Sequence, residues 1–335
     1  MKAMRRKLAA LALGLLLLLA LAACGGTDGG GEAGGTAYRP TFLRCQTGMS
    51  YVSAGCAGDG ELYILGTAED RPAISRVDLD GAVTPLAEYA PLSGPDGAEG
   101  QVGSPQPGED GTLWVTEELT APLQTAEDGE AVDAWDTRTI RVRRQLDSAG
   151  RELRRVDFDE LAQRLGVSYI DDIFPDGAGR LYALAGESVA VLDGEMNVLF
   201  TLAGEDLFGD LIRLGDGAMA MSRWNDAGDR TLRTIDPAAR DWGTEYVLPY
   251  GAENVFPGSG GFLYCYDRGD SLWGATAAEA AGGAESPAGK LLVRWSNVDV
   301  EHADVLFFSL LPDGRIAAVA SAAADGPRTE LVLLT

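Results

Sequence analysis

Residues able to do chemistry are sparse once the carboxylates are set aside. The sequence holds one histidine, His302, in the exposed-looking setting Val300-Glu-His-Ala-Asp304. No Ser-His-Asp or Cys-His set can be assembled except around it. Of four cysteines (Cys24, Cys45, Cys56 and Cys265) no two have Cys-x-x-Cys spacing, so a Cys/His zinc site is excluded. Calcium prefers oxygen ligands, and Asp78-x-Asp80-Gly81 has the first two spacings of a calcium loop. It lacks the later acid, and a hairpin turn is the better reading. Asp171-Asp172 is the most noticeable carboxylate pair, suited in type to glycoside hydrolysis. It stands where a strand begins, Tyr169-Ile-Asp-Asp-Ile-Phe174, and a solvated turn explains it, so no catalytic residue is assigned. Trp135, Trp224, Trp242 and Trp273 fall near loops and are candidates for stacking on a sugar ring or for surface anchoring.

Bulk charge narrows the partners. With 51 acidic against 27 basic residues the formal charge is −24, which excludes binding of nucleic acid through a broad basic surface. The 46% hydrophobic and 23% charged composition is that of a folded globular protein. No cofactor is implied.

The basic start, Lys2, Arg5, Arg6 and Lys7, precedes an apolar run from Leu8 to Ala23. That run is shorter than the ~20 residues of a bilayer span, so it reads as a secretory signal. Leu21-Ala22-Ala23-Cys24 resembles the bacterial lipobox, in which the Cys thiol takes a diacylglycerol and the chain is cut before it. The expectation is a signal peptide at 1–23 and a lipid-bearing Cys24, with acyl chains such as palmitate anchoring the chain to the outer side of a bacterial cell membrane. Gly25 to Gly35 forms a flexible tether, so residues 24–37 are linker and 38–335 are the folded domain. Cleavage removes four positive charges and leaves −28, which keeps the domain off an anionic membrane. Three cysteines remain outside the cytoplasm. Cys45 and Cys56 are close in sequence, and either cross-link neighbouring strands or stay as reduced thiols.

The domain is predicted to be all-β from repetition. Asp-Gly turns followed by short apolar strands recur at Asp59-Gly60, Asp110-Gly111, Asp176-Gly177, Asp216-Gly217 and Asp313-Gly314, with a related phrase from Gly258 to Tyr266. Second turns at Asp80-Gly81 and Asp193-Gly194 imply two hairpins, hence four strands, per unit. Spread over six units, residues 38–335 give about 50 residues each, and a β-propeller of six four-stranded blades, with seven as the variant, follows. Radial repetition buries both faces of each sheet and leaves short edges. Tyr38 to Arg44 and Thr329 to Thr335 are expected to share one blade and close the ring. Trp114, Tyr63 and Tyr182 occupy equivalent strand positions and are predicted inter-blade core. Two insertions interrupt the rhythm, one from about Glu117 to Gly166 and a low-complexity one from Ala275 to Gly289. The first contains a short helix, with Asp157 and Glu160 at capping spacing and Gly166 at its end. Asp110-Gly-Thr-Leu-Trp114 lacks the Ser and the spacing of the repeat found in sialidase-like propellers.

The phrases Leu21-Ala-Ala-Cys24-Gly-Gly, Tyr38-Arg-Pro-Thr-Phe42, Ser50-Tyr-Val-Ser-Ala-Gly-Cys56, Leu311-Pro-Asp-Gly-Arg-Ile316 and Thr329-Glu-Leu-Val-Leu-Leu-Thr335 resemble the N-terminal propeller-like region of Firmicutes-type bacterial lipoproteins. Those lipoproteins also carry an extracellular solute-binding domain serving ABC importers. The resemblance implies a binding or protein-interaction module associated with solute uptake, partnered by an ABC permease or a solute-binding protein and facing a carbohydrate, peptide or other small solute. The solute-binding lobe would begin shortly after Thr335, so no solute-contacting residue is carried over. The alternatives are a polysaccharide-active propeller enzyme and a structural envelope-assembly lipoprotein.

Overall fold

The computed structural model describes residues 40–45, 47–58, 61–94, 97–108, 111–122, 137–204, 209–215, 217–225, 228–258, 261–266, 271–280, 289–294, 304–310, 315–322 and 328–334. The lipobox residues Leu21, Ala22, Ala23 and Cys24, and the candidate Trp135, lie outside them. No helix among the described residues is long and apolar enough to cross a membrane.

Strands dominate. After β1 (Pro40–Cys45), the first antiparallel sheet holds β2 (Tyr51–Gly58), β3 (Glu61–Ala68), β4 (Arg71–Val77) and β5 (Val83–Pro85) in that order. The second holds β6 (Gln101–Pro107), β7 (Leu113–Pro122), β8 (Thr137–Leu146) and β9 (Glu152–Asp157), and the helix α1 (Phe158–Leu165) follows it. The third holds β10 (Asp172–Pro175), β11 (Leu181–Ala185), β12 (Ser188–Leu192) and β13 (Val198–Ala203). The fourth holds β14 (Gly209–Arg213), β15 (Met219–Trp224), β16 (Arg230–Asp236) and β17 (Asp241–Val247). The fifth holds β18 (Val255–Gly258), β19 (Gly261–Tyr266), β20 (Ser271–Thr276) and β21 (Lys290–Arg294), with a single helical turn, α2 (Ala277–Ala280), after β20.

These five sheets each use four consecutive strands. A further four-stranded sheet is composite: β22 (Asp304–Leu310), β23 (Ile316–Ala322) and β24 (Arg328–Leu334) take β1 as their outer member. β1 runs antiparallel to β24 from Pro40 opposite Leu334 to Cys45 opposite Thr329, so the two ends of the domain do share one sheet. First strands meet first strands around an axis, with β2 against both β6 and β22, and β18 against β14 and β22. This is a β-propeller arrangement.

Turn chemistry explains the hairpins. Asp176 Oδ1 accepts from the backbone N–H of Ala178 and Arg180 at 2.7 and 3.1 Å, and Gly177 takes φ +78°. The same side-chain-to-backbone closure recurs at Asp147 and Asp193. Asp78 to Ala82 is likewise a hairpin, in which Asp80 Oδ1 accepts from Ala82 N–H at 3.2 Å.

The sheets pack face to face through apolar side chains. Tyr63 and Leu65 meet Leu113 and Val115 between the first and second sheets, and Trp114 meets Leu181 and Ala183 between the second and third. Tyr182 and Leu184 meet Leu211 and Met221 between the third and fourth. Tyr63, Trp114 and Tyr182 are all buried, as their repeat positions predict. Each wholly buried side chain of this size contributes about 1.5–3 kcal/mol.

The first expected insertion is corrected. Glu117 to Pro122 and Thr137 to Leu146 are paired strand, running in register from Leu113 opposite Leu146 to Pro122 opposite Thr137, so the second sheet simply has a longer central hairpin. Four arginines interrupt the apolar pattern of TRTIRVRRQL, two of them, Arg143 and Arg144, buried beside Val142, so the segment reads as loop in sequence. The predicted helix is present. Asp157 caps it by accepting from Asp159 and Glu160 N–H at 2.9 and 3.1 Å, Gly166 ends it at φ +69°, and Phe158, Leu161 and Ala162 are buried.

Candidate binding face

The two ends of the propeller are built differently. Every sheet is traversed from first strand to last, so all first strands run in one sense. Among the described residues, the Asp-Gly phrase at Asp176 stands between first and second strands and those at Asp80 and Asp193 between third and fourth, so these short turns mark one face. The opposite face takes the connections from second to third strands and from each sheet to the next. There lie the segment 86–100, the helix α1 with residues 166–171, residues 248–254, and the strand ends flanking 123–136 and 281–288. Long connections on a rigid scaffold are where binding groups concentrate.

Four exposed aromatic side chains belong to this face. Tyr51 begins β2 opposite Thr67 and is 62% exposed. Tyr169 precedes β10 and is 52% exposed, and Tyr250 precedes β18 and is 79% exposed. Trp224 ends β15, is 49% exposed, and has the Arg230 guanidinium 5.2 Å from its ring centroid. Of these, only Trp224 is among the tryptophans singled out from sequence. Trp242 is half-buried on the outer strand β17, where its indole N–H donates to Ala203 O at 3.0 Å and Arg233 covers its ring. Trp273 is half-buried, donates to Ser271 Oγ at 3.0 Å and packs on the core between the fourth and fifth sheets. Neither is a free platform. Tyr51, Tyr169 and Tyr250 were missed, although each has a readable signal: an aromatic in a polar or turn segment just before a strand.

Where the second and third sheets meet near this face, a charged cluster is enclosed. Arg143 is wholly buried and donates through Nη1 to Ser104 O at 2.6 Å and Thr116 Oγ1 at 2.7 Å. Ser104 sits in a bulge of β6 with φ +45°, which turns its carbonyl towards the guanidinium. Nη1 lies 4.0 Å from Asp172 Oδ1, which also accepts from Thr116 Oγ1 at 3.2 Å and from Ile173 N–H at 2.7 Å. Nε and Nη2 of Arg143 are buried without a hydrogen-bond partner. Burial lowers its pKa, offset in part by Asp172 and then Cys56.

Asp171 is separated from this cluster. Its backbone O accepts from Arg141 Nη2 at 2.8 Å, and Arg141 in turn lies over the Phe158 ring. Burial raises its carboxyl above the usual range, against the hydrogen bond from Gly186 and the charge of Arg141. The sequence pair Asp171-Asp172 therefore resolves into one carboxylate locked in a sheet junction and one facing solvent.

A second enclosed network holds the segment 86–100. Glu117, wholly buried, pairs with Arg144 and accepts from Leu92 N–H at 2.7 Å, while Arg144 also reaches Ala90 O at 2.9 Å and Glu152 at 2.6 Å. Beside it opens a cleft of about 330 Å³ that includes Pro91, Leu119, Ile140 and Arg155.

Cys56 is a free thiol whose pKa burial pushes up to about 12. Its strand β2 belongs to the first sheet, whereas β1, which carries Cys45, belongs to the composite one. Cys265 is also free and buried. Among the described residues, no group of three or more His, Cys, Asp or Glu side chains gathers at metal-binding range.

No family model and no curated protein matches the sequence. Solved structures do match the fold. A protein of Bacteroides fragilis NCTC 9343 superposes with a TM-score of 0.51 over 92% of this chain and 97% of its own, at 10% identity. A luciferin-regenerating enzyme gives 0.47 over 88% and 95%, at 11% identity. The WD40 domain of Neurospora crassa Pan2 gives 0.41 over 84% and 74%, at 10% identity. At such identities the likeness is one of fold alone.

Proposed function

We propose that this chain is a lipid-anchored extracytoplasmic propeller, the composite sheet counting as its sixth blade, that acts as a binding or protein-interaction module beside an ABC-type solute uptake system. The observation that carries the binding role is the asymmetry of its ends: tight Asp-closed turns on one, long connections with four exposed aromatic side chains on the other. The anchor rests on Leu21-Ala22-Ala23-Cys24 behind a basic and apolar leader, and the tie to uptake on the resemblance to importer-associated lipoproteins. A Gly-rich tether and a strongly negative body suit a domain held clear of an anionic surface. The anchor is tested by feeding radiolabelled palmitate to a bacterial host making the full chain. The label and the membrane fraction should both be lost on Cys24→Ser, and an unlabelled wild-type chain overturns the anchor.

A second reading is a polysaccharide-active enzyme, for which Asp171, exposed on the same face, is the carboxylate to test. Release of reducing ends from a glycan, abolished by Asp171→Asn with binding kept, would establish it. Binding without release at any pH from 4 to 8 would leave the binding module.

A further inference from the structure

We infer that the face bearing the long connections binds neutral glycan chains, with Tyr169, Trp224 and Tyr250 as successive stacking platforms and Tyr51 as an outlying one. This deepens the binding role proposed above and rests on it. Tyr169, Trp224 and Tyr250 belong to the third, fourth and fifth sheets, which are neighbours around the ring, so one extended ligand crossing that arc meets them in turn. The three are carried one to a sheet, on the third, fourth and fifth sheets, rather than together on one element. Single rings of this kind match the apolar C–H face of a pyranose with its polar rim, whereas a protein hot spot gathers its aromatics in one desolvated centre.

Charge selects the class of glycan. Glu69, Asp70, Glu187 and Glu279 project from connections of this face, and the whole chain carries −24. Carboxylates accept hydrogen bonds from sugar hydroxyls but repel uronates, sulfated sugars and phosphates. Of the cations beside the platforms, Arg230 is engaged with Trp224 and with Ser222 Oγ at 2.8 Å, and Arg141 with the Ile170 and Asp171 carbonyls, so neither is a free anion receptor. Asp229, adjacent to it, is tied to Asn225 by the turn that presents Trp224.

The test is affinity electrophoresis of the full chain in detergent, through gels containing xylan, mannan or mixed-linkage β-glucan, with polygalacturonate as the anionic arm. At least one neutral polymer should retard the wild type, and polygalacturonate should not. Trp224→Ala and Tyr250→Ala should each weaken the retardation about fivefold, and Trp242→Phe on the rim should leave it unchanged. Because both platforms are exposed, circular dichroism of the variants should match the wild type. Absence of retardation in all three neutral gels overturns the inference. So does retardation by polygalacturonate alone, or retardation indifferent to both substitutions. Glycan binding by a chain that takes no palmitate would overturn the anchor alone, and a palmitate-labelled chain blind to glycans would overturn this inference alone.

Discussion

Arg143 and Asp172 face one another at 4.0 Å across the junction of the second and third sheets, the arginine enclosed and the carboxylate near the face that carries the long connections. Their strands, β8 and β10, belong to different sheets, so the contact ties the ring as well as its site. The pair is unequal. Asp172 also accepts from Thr116 and Ile173, whereas two of the Arg143 nitrogens are buried without partners. Removing the carboxylate therefore strands a wholly buried charge, whereas removing the arginine frees the Ser104 carbonyl and leaves a partly exposed carboxylate that keeps its two donors. Asp172→Ala should lose about 3–5 kcal/mol of unfolding free energy in urea, and Arg143→Met markedly less. Equal losses from the two substitutions would sink this account.

A second prediction concerns the strand that bears Tyr51. A Cβ placed on Gly66 would lie 2.0 Å from the Tyr51 carbonyl oxygen, a backbone atom that cannot turn aside. At Gly177 the obstacle is the far end of the Arg213 side chain at 2.5 Å, which can swing away, leaving the positive φ as the main cost. Gly66→Ala should cost about 2–3 kcal/mol, with glycan binding through Tyr51 weakened, and Gly177→Ala about 1–2 kcal/mol. Urea midpoints for the two variants decide it, and the reverse order would refute the steric argument.

The thiols give a prediction on the alkaline side. Cys56 and Cys265 both titrate at about 12 in the folded chain, against 9.0 for a free thiol, because burial disfavours the thiolate; at Cys265 the charge of Glu253 adds to this. Tyr182, likewise raised to about 12 by burial and by Asp176, acts in the same direction. A group with a raised folded pKa binds more protons in the folded state than in the unfolded one at intermediate pH. Its stabilisation is complete below pH 9 and is lost as pH climbs towards 12. The urea midpoint should accordingly fall between pH 9 and 11, and the fall should be shallower in Cys265→Ala. At pH 8 a thiol reagent should label Cys265 only once urea unfolds the chain, and rapid labelling of the native protein would contradict the burial.

Much of this fold could be read from local chemistry, because its turns and caps are local. Asp176 with Gly177, and Asp157 with Gly166, are each solved by a few consecutive residues, and the repetition of such units implies strands that must stack. Side-chain exposure is decided elsewhere. Trp242 looks like a loop tryptophan until Ala203, thirty-nine residues earlier, takes its N–H, while Tyr250 looks unremarkable until the turn after Leu248 leaves it in solvent. Asp171 and Asp172 are inseparable in sequence. Only the approach of β8, with Arg141 and Arg143 two residues apart, assigns them different partners. The long β7 and β8 hairpin was hidden for a related reason, since Arg143 and Arg144 are buried by partners on neighbouring strands, Thr116 and Glu117 among them, and break the apolar alternation that marks a strand.

The last prediction concerns closure of the ring. β1 is the only strand of the composite sheet that precedes the rest of the domain, and its six residues pair with β24 from Pro40 opposite Leu334 to Cys45 opposite Thr329. Without it β24 would present an unpaired edge, and the first sheet would lose the covalent neighbour that leads into β2. Deleting residues 40–45 removes several ladder hydrogen bonds, each with a net value of about 0.5–1.5 kcal/mol, so a loss of about 3–6 kcal/mol is expected. Against a typical stability of about 5–15 kcal/mol, that is enough to bring the domain close to unfolding at 37 °C. The bared edge should also recruit other chains, so sedimentation of the truncated protein should show concentration-dependent association that the full chain lacks. A peptide spanning residues 38–46, added in trans, should restore the urea midpoint in part, because it can take the vacant position beside β24. A truncated protein as stable and as monodisperse as the full chain would show that the ring closes by sheet packing alone, and that pairing of the two ends is incidental to it.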